Sequence, residues 1–338
     1  RVDRARNHLC GDRVVPRVRR TVSDALDATV VGGFSRIGYE VRSRTSGFVR
    51  PEDMNLAGRR IVVTGPTSGL GRETARMLAT AGADLVLLGR DAARTRVAAD
   101  EVDALGAGSV DVVVADMGDL AAVAAASREI SSLGAPHAVV HNAGALLKAR
   151  EESPQGHETT VASHVLGPFL MTRLLVDSLA SVNGRVVTVS SGGMYTAPLP
   201  RVAGSRTLEM GAHNWDGTRQ YAIAKRAQVT LNEMWAVERP DVWFAAMHPG
   251  WADTPGVKTS LPLFRIVTRP LLRTARQGAD TIAWLAGVDE PGAGSGTFWC
   301  DREVRPIHRL GSTRASDTPD RRRDLWEWCM TVTEPFVA

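Results

Sequence analysis

The 338-residue chain is poor in cysteine and contains no long apolar run. Cys10, Cys300 and Cys329 are few, odd in number and scattered, which argues against a disulfide framework and a metal site and favours a reducing, cytoplasmic compartment. No apolar stretch reaches the roughly 18 residues that a membrane-spanning helix requires. The N-terminus also lacks the continuous apolar core of a signal peptide. We therefore expect neither a transmembrane segment nor a secreted, disulfide-bonded domain.

Lysine is nearly absent, because three of the 41 basic residues are Lys and the rest are Arg, and the net charge is only +4. Seven of the arginines lie within residues 1–20. We interpret this segment as a solvated tail, with contact to an anionic surface or a nucleic acid as the alternative. No aromatic side chains lie between these arginines to stack on bases, so no nucleic-acid partner is predicted.

Apolar, β-rich runs alternate with alanine-rich helical stretches from residue 58 onward. The predicted strands are 61–64, 84–88, 110–115, 137–141, 185–190, 242–247 and 296–300. The predicted helices are 71–81, 92–105, 119–133, 156–181, 219–238 and 275–287. Continuous apolar strands that alternate with helices are typical of a parallel sheet covered on both faces. We therefore predict an α/β, Rossmann-type doubly wound fold with a seven-stranded parallel sheet and helices on both faces.

Helical segments are also predicted at both ends of the chain. Apolar residues recur at near-helical spacing within 22–41, although Gly32 and Gly33 weaken the pattern. This extension packs on the main domain or, as the alternative, on a membrane. A C-terminal helix over 319–330 has Thr318 as its N-cap and Pro319 at its first position. The predicted division is a basic tail and helical extension (1–50), a cofactor-binding catalytic domain (51–310) and a C-terminal helical tail (311–338).

A glycine-rich turn lies directly between the first predicted strand and the first predicted helix. Its sequence is Thr64-Gly65-Pro66-Thr67-Ser68-Gly69-Leu70-Gly71. Glycines at such a junction permit a tight turn and a close approach to a pyrophosphate at the helix N-terminus. We predict a dinucleotide there, bound by Gly65, Thr67, Ser68, Gly69, Leu70 and Gly71.

The end of the second strand indicates which dinucleotide is bound. Many such sites place a carboxylate there, about 20 residues after the turn, to bind the ribose 2′-hydroxyl. This chain has Gly89 at that position, followed by Arg90. A guanidinium in place of a carboxylate favours a 2′-phosphate, so NADP(H) is predicted in preference to NAD(H). Asp91 could compete for the ribose, but it more simply caps the helix that begins at residue 92.

Tyr221 and Lys225 are four residues apart and so lie on one face of a predicted helix. An ammonium about 5 Å from a phenol, at an effective dielectric of about 20, favours the phenolate by roughly 3 kcal/mol, or about 2.4 pKa units. The phenol would then titrate near physiological pH, as suits an acid/base catalyst. Taken alone, Tyr221 and Lys225 could equally be two ordinary side chains on an exposed helix face as a catalytic pair.

Taken together, these motifs resemble the short-chain dehydrogenase/reductase family. The resemblance covers roughly residues 50–300 and combines TGxxxGxG at 64–71 and YxxxK at 221–225 with three shorter motifs. Those motifs are Asp116 after the third strand, Asn142-Ala143-Gly144 after the fourth, and Ser190-Ser191 after the fifth. The stretches 189–194 and 247–257, with the N-terminal extension, are most similar to the subgroup called dehydrogenase/reductase family member twelve.

The resemblance implies a role for each matching residue. Ser191, with Ser190 as the weaker candidate, would hydrogen-bond the substrate oxygen, and Tyr221 would exchange a proton with that oxygen. Lys225 would hold the nicotinamide ribose and lower the pKa of Tyr221. The other implied cofactor contacts are Asp116 and Met117 at the adenine, Asn142, Ala143 and Gly144 along the cofactor, and Pro249, Gly250 and Thr254 at the nicotinamide. Family members are often dimers or tetramers, so a homo-oligomer is expected by analogy.

The first departure from the family pattern is His164, which stands where the family has a helix Asn. In family members a main-chain carbonyl at that site holds a water that relays protons to the Lys. Pro168 has no N–H for the carbonyl four residues earlier, so we expect the His164 carbonyl to remain free for that relay. The imidazole itself is a second candidate proton carrier. The alternative is that His164 is a packing residue and the relay is damaged. If the relay is preserved, Pro168→Ala should impair proton delivery more than cofactor binding.

The second departure is the longer gap between Ser191 and Tyr221. The inserted loop, 192–218, carries Met194, Tyr195, Met210, His213 and Trp215, and lies either beside the substrate entrance or on the surface with its own apolar cluster. An apolar substrate pocket under a mobile lid (251–272) would be lined by Trp215, Trp251, Leu261, Leu263 and Phe264. These side chains could instead pack against each other or a second subunit.

The sequence therefore predicts reversible hydride transfer between NADP(H) and a carbonyl or alcohol substrate, with a preference for lipophilic molecules. A cofactor-binding sensor or scaffold with little turnover is the alternative, supported by His164 alone. A methyltransferase with a similar fold would leave Tyr221, Lys225 and Ser191 unexplained. A basic nucleic-acid binder would depend on residues 1–20.

Overall fold

Eight strands form one sheet within the part of the chain that the computed structural model describes, which is residues 25–27, 29–202, 207–260 and 262–337. The strands are β1 (Arg60–Thr64), β2 (Asp84–Gly89), β3 (Ser109–Val114), β4 (Ala138–His141), β5 (Arg185–Val189), β6 (Trp243–Met247), β7 (Thr297–Cys300) and β8 (Glu303–Val304). Their order is β3-β2-β1-β4-β5-β6-β7-β8. The seven predicted parallel strands are confirmed. The two-residue β8 was not predicted, and it pairs antiparallel to β7.

Helices cover both faces of this sheet. They are α1 (Val30–Phe34), α2 (Arg36–Thr45), α3 (Gly69–Thr80), α4 (Ala92–Asp103), α5 (Leu120–Ser132), α6 (Thr159–Val161), α7 (Gly167–Ala180), α8 (Gly217–Glu238), α9 (Pro255–Ser260), α10 (Pro262–Thr268), α11 (Ala275–Gly287), α12 (Gly311–Ser316) and α13 (Pro319–Thr333). A π-helical segment, Ala162–Leu166, joins α6 to α7. Asp91 caps α4 and Thr318 caps α13, as predicted.

Adjacent residues of the central strands face opposite sides of the sheet. Val62 packs into an apolar cluster with α5, α7 and α8, whereas Val63 packs into one with α3 and α11, and both are fully buried. Burial on both faces explains why these strands are continuously apolar in sequence.

The strand order reverses between β1 and β4, which are neighbours in the sheet. Loops that leave the carboxyl ends of such strands diverge, and the crevice between them is the usual ligand site of an open α/β sheet. The glycine-rich turn follows β1 and Asn142 follows β4, so the predicted cofactor residues meet at this crevice.

One helical segment, Thr159–Ala180, is long and apolar enough to cross a membrane by length and composition. Of the most apolar 18-residue stretch of this segment, 78% is buried inside the protein, as expected of a core helix. Phe169, Leu170 and Leu175 of α7 all belong to the apolar cluster beneath the sheet.

The N-terminal extension is joined to the sheet by a buried ion cluster. The Arg42 guanidinium on α2 donates to Asp301 at 2.7 Å, and Arg273 donates to the same carboxylate at 2.6 and 2.9 Å. All three side chains are about 1% exposed. Asp301 lies between β7 and β8, so the cluster ties α2 to the edge of the sheet.

We expect Arg42→Leu to lower the free energy of unfolding by about 2 kcal/mol, because Asp301 loses one charged partner but keeps Arg273. Chemical denaturation measures this change, and limited proteolysis should show earlier cleavage within 25–50. Arg44→Leu, on the same helix, is the control, because Arg44 is 74% exposed and its surface pair with Glu40 contributes under about 0.5 kcal/mol. Equal effects of the two changes would contradict a role for the cluster.

Candidate active site

The glycine-rich turn forms a tight connection into α3. Gly65 and Gly69 have φ values of +68° and +54°, which side chains with a Cβ rarely adopt. A Cβ on Gly71 would overlap the Gly65 carbonyl oxygen and the Asn142 amide. Ser68 at the N-cap of α3 makes no side-chain capping bond, and the first turn carries no acidic residue. This helix N-terminus therefore fits the pyrophosphate of a dinucleotide.

Asn142 and Ala143 hold the loop after β4 against the end of β1. The Asn142 side-chain amide donates to the carbonyls of Thr64 at 2.9 Å and Gly65 at 3.2 Å. The Thr64 hydroxyl accepts from the backbone N–H groups of Asn142 and Ala143, at 3.0 and 2.9 Å. These bonds shape the floor of the crevice, a bracing role that the sequence did not reveal.

Arg90, Asp116 and Met117 lie together at the ends of β2 and β3. Arg90 is 79% exposed, and its guanidinium is 4.0 Å from the half-exposed Asp116 carboxylate. The other Asp116 oxygen accepts from the N–H of Gly118 at 2.8 Å, while Met117 is buried. An exposed guanidinium and a solvated carboxylate are thus positioned to meet the adenosine end of a dinucleotide.

The loop after β6 reaches across to the glycine-rich turn. A Cβ on Gly69 would lie 3.4 Å from the Thr254 side chain, so the two loops are in contact. Gly250 has φ +70°, and Pro249 accepts from Arg273 at 3.2 Å. The residues expected at the nicotinamide end therefore lie at the same edge of the sheet as the turn.

Helix α8 presents Tyr221 and Lys225 on one face. Lys225 Nζ lies 5.3 Å from the centre of the Tyr221 ring and donates to the Val189 carbonyl at 2.8 Å. The Ser191 hydroxyl is within hydrogen-bonding reach of the Tyr221 phenol. Ser190 Oγ instead donates to the Lys225 carbonyl at 3.0 Å. Ser191 thus faces the phenol, while Ser190 is a structural neighbour.

The predicted effect of Lys225 on Tyr221 was wrong for this structure. Burial raises the pKa of Tyr221, and the hydrogen bond with Ser191 opposes that rise only in part. Burial also lowers the pKa of Lys225 to about 7. A fixed ammonium charge beside the phenol would lower the pKa of Tyr221, but here the cost of burying both groups decides the direction of each shift. At neutral pH the phenol is protonated, and the Lys225 amine titrates in the physiological range.

His164 does not have the free carbonyl that Pro168 was expected to leave. The Gln228 side-chain amide donates to this carbonyl at 2.7 Å. The imidazole Nε2 accepts from the N–H of Ala145 at 3.0 Å, and the ring packs edge-on against Tyr221 at 5.4 Å between centres. Burial and the nearby Lys225 hold the pKa of His164 well below its usual range. The imidazole is therefore neutral, and it acts as a brace for the loop after β4.

The inserted loop packs into the protein core. Met194, Tyr195 and Met210 are buried, and His213 is exposed. Leu199, Val202 and Leu208 join the apolar cluster beneath the sheet, so the loop is more than a surface excursion. Its anchor to the helix before α7 is Trp215, whose indole N–H donates to Glu158 at 3.3 Å.

The apolar wall beside Ser191 comes partly from the N-terminal extension, which the sequence did not predict. Phe34 lies against Gly192, because a Cβ there would be 3.0 Å from the Phe34 ring. The Phe34 carbonyl accepts from the N–H of Trp251 at 2.8 Å. The side chains of Leu261, Leu263 and Phe264, predicted to line the pocket, lie outside the described part of the structure.

The chain matches known proteins over most of its length. The family model described as short chain dehydrogenase matches residues 59–202. The human protein Dehydrogenase/reductase SDR family member 12 is 34% identical over 90% of this chain and 95% of its own. The mouse Polyprenol dehydrogenase is 30% identical over 82% of this chain and 84% of its own.

Solved structures share the fold. An uncharacterized protein from Mycobacterium paratuberculosis superposes with a TM-score of 0.64 at 24% identity, over 85% of this chain and 97% of its own. A second structure is a protein assigned as an NAD(P)-dependent gluconate 5-dehydrogenase from Beutenbergia cavernae, with NADP bound at low occupancy. It superposes with a TM-score of 0.60 at 25% identity, over 73% of this chain and 96% of its own.

Proposed function

The chain belongs to the short-chain dehydrogenase/reductase family of NAD(P)-dependent oxidoreductases, and we propose that it reduces lipophilic ketones or aldehydes with NADPH. The observation that carries the proposal is the contact of Ser191, Tyr221 and Lys225 at the same sheet edge as the glycine-rich turn. Hydride transfer with a nicotinamide cofactor is the chemistry of this family.

The protein's own contribution is to bind, orient and protonate. The bound nicotinamide supplies the hydride. Ser191 and Tyr221 donate hydrogen bonds to the substrate oxygen and stabilise the negative charge that develops there. Tyr221 then releases its proton to that oxygen, and its raised pKa keeps the phenol protonated at neutral pH. Lys225, with a pKa of about 7, lies next to the phenol and can restore the proton.

Two observations support a lipophilic substrate. Phe34 and Trp251 place aromatic rings 6.1 Å apart on the Ser191 side of the site. The relatives include proteins named for polyprenol and retinol. A carbonyl carried on an apolar body would bury its hydrocarbon against the partly exposed Trp251 ring, which Phe34 supports, and present its oxygen to Ser191 and Tyr221.

The test is NADPH oxidation by the purified protein with a panel of ketones and aldehydes of increasing chain length. We expect turnover that rises with chain length. A cofactor titration is run beside it. Tight NADPH binding without oxidation by any member of the panel would reject the proposal and favour a sensor or scaffold. That alternative is supported by the Gln228 amide, which takes the carbonyl expected to serve the proton relay.

The preference for NADP(H) depends on Arg90. We expect Arg90→Gln to lower kcat/KM for NADPH about tenfold and to leave kcat/KM for NADH nearly unchanged, because an exposed guanidinium contributes modestly to binding a phosphate. Arg96→Gln, an exposed arginine on α4, is the control. Parallel losses with both cofactors would show that Arg90 does not read the 2′-phosphate.

A further inference from the structure

A small cavity with both apolar and polar side chains in its lining lies behind the catalytic face of α8. It has a volume of about 30 Å³ and is bounded by α7, α8 and the strands β4 and β5. The polar side chains that line it include His141, His164, Thr172, Gln228 and Asn232. Tyr221, Lys225, Gln228 and Asn232 are spaced by four, three and four residues, so one polar stripe on α8 runs from the catalytic pair to this cavity.

The two amide side chains have fixed orientations. Gln228 donates its NH₂ to the His164 carbonyl at 2.7 Å, and Asn232 donates its NH₂ to the Gly296 carbonyl at 2.9 Å. A carbonyl can only accept, so the nitrogen and oxygen of each amide are assigned. The remaining oxygens, Gln228 Oε1 and Asn232 Oδ1, are buried acceptors with no partner among the described residues.

The tautomers of the two histidines follow by the same reasoning. His164 Nε2 accepts from the Ala145 N–H, so the neutral ring carries its proton on Nδ1. The Thr172 hydroxyl donates its one hydrogen to the Pro168 carbonyl at 2.8 Å, so it must accept from His141 Nε2 at 3.0 Å. His141 therefore carries its proton on Nε2. Both Nδ1 atoms are buried and have no partner within the described structure.

The residues that line the cavity thus carry one unpartnered donor, His164 Nδ1–H, and three unpartnered acceptors, His141 Nδ1, Gln228 Oε1 and Asn232 Oδ1. Each buried polar group left without a hydrogen bond costs about 1–3 kcal/mol. Water both donates and accepts, and 30 Å³ has room for about two molecules. No apolar ligand of that size would satisfy these four atoms.

We propose that this cavity is a buried hydration site in which two waters together accept from His164 Nδ1–H and donate to the acceptors of His141, Gln228 and Asn232. The waters fix His164 in the tautomer that leaves Nε2 free to accept from Ala145. His164 is then a positioning residue for the loop after β4. The Gly144 backbone lies directly against the imidazole, since a Cβ there would overlap the ring.

A crystal structure at high resolution tests the site directly. We expect density for two waters, one of them within hydrogen-bonding distance of His164 Nδ1. Long-range ¹H–¹⁵N spectra should show His164 protonated on Nδ1 and His141 on Nε2. A cavity without water density, or a His164 protonated on Nε2, would overturn the proposal. Neither readout requires turnover, so both stand apart from the proposed reaction.

A pair of variants on α8 tests the link between the water and the loop. Asn232→Leu replaces a cavity acceptor with methyl groups of similar volume. We expect a cavity water to be displaced and hydrogen exchange at the Ala145 amide to become about tenfold faster. Thr230→Val is the matched control, because Thr230 Oγ1 is also buried without a described partner but does not line the cavity. Unchanged Ala145 exchange in a folded Asn232→Leu variant, or equal acceleration in both variants, would contradict the proposal.

Discussion

Replacing Tyr221 with phenylalanine is expected to lower kcat about a thousandfold and to leave NADPH binding within about twofold of the wild-type value. In the proposed reaction the phenol gives a proton to the substrate oxygen, and such a proton donor contributes about 10²- to 10⁴-fold. The aromatic ring stays, so its packing against His164 is retained. The measurements are steady-state kinetics with the best ketone of the panel and a cofactor titration.

Tyr195→Phe is the matched control for this change. Tyr195 is buried, and its hydroxyl donates to the Pro306 carbonyl at 2.8 Å. Its loss should cost about 1 kcal/mol of stability and should not alter kcat. A Tyr221→Phe variant that retains more than about a tenth of wild-type turnover would show that another group protonates the substrate, and the catalytic assignment of Tyr221 would then be wrong.

The strands of the sheet could be predicted from the sequence because the residues of each strand are enough to identify it. Strands such as β1 are buried on both faces, so each appears as a continuous apolar run bounded by turn residues. The caps at Asp91 and Thr318 were predictable for the same reason, since a cap depends on side chains within one turn of the helix. The two-residue β8 gave no such pattern, because its pairing with β7 requires a reversal at Asp301 and Arg302 that only tertiary contacts stabilise.

The placement of Tyr221 and Lys225 beside each other was predictable, but the electrostatics of the pair were not. The spacing of Tyr221 and Lys225 places them on one helix face in any α-helix. The depth at which that face is buried is not local information, and burial decides the direction in which each pKa moves. Pro168 was correctly recognised as removing a donor for His164, yet the replacement donor comes from a different helix.

Two contributors to the site were missed for different reasons. Gln228 could have been found, because a polar residue seven positions after Tyr221 continues the same buried face of α8. Phe34 could not, because it reaches Gly192 from an extension more than a hundred residues away in sequence. Nothing in the apolar pattern of 22–41 indicates which part of the domain it meets.

Replacing Lys225 with methionine is expected to change turnover and the free energy of unfolding in different ways. Turnover should fall about a hundredfold or more, because in the proposed reaction the amine beside Tyr221 restores the proton of the phenol. The free energy of unfolding should respond in a pH-dependent way, because the amine has a pKa of about 7 in the folded protein and its ordinary pKa of 10.5 in the unfolded chain.

The direction of that response follows from proton binding. Between about pH 7 and 10 the unfolded chain holds a proton on Lys225 that the folded protein does not, so the stability of the wild type rises with pH through this group. Below pH 7 both states are protonated, and the folded protein bears the full cost of a buried ammonium. Methionine removes that cost, so the variant is most stable relative to the wild type at about pH 6. As the pH rises toward 10, the free energy of unfolding of the variant relative to the wild type falls by up to roughly 4 kcal/mol.

Chemical denaturation of both proteins at a series of pH values measures this difference, with Lys258→Met as the control because Lys258 is exposed. Loss of the bond to the Val189 carbonyl shifts the Lys225→Met curve by a constant amount at every pH, so the slope of the difference is the informative quantity. Parallel curves for Lys225→Met and the wild type would mean that Lys225 keeps an ordinary pKa when folded. The amine would then be a fixed cation beside Tyr221, and proton exchange near neutrality would have to come from another group.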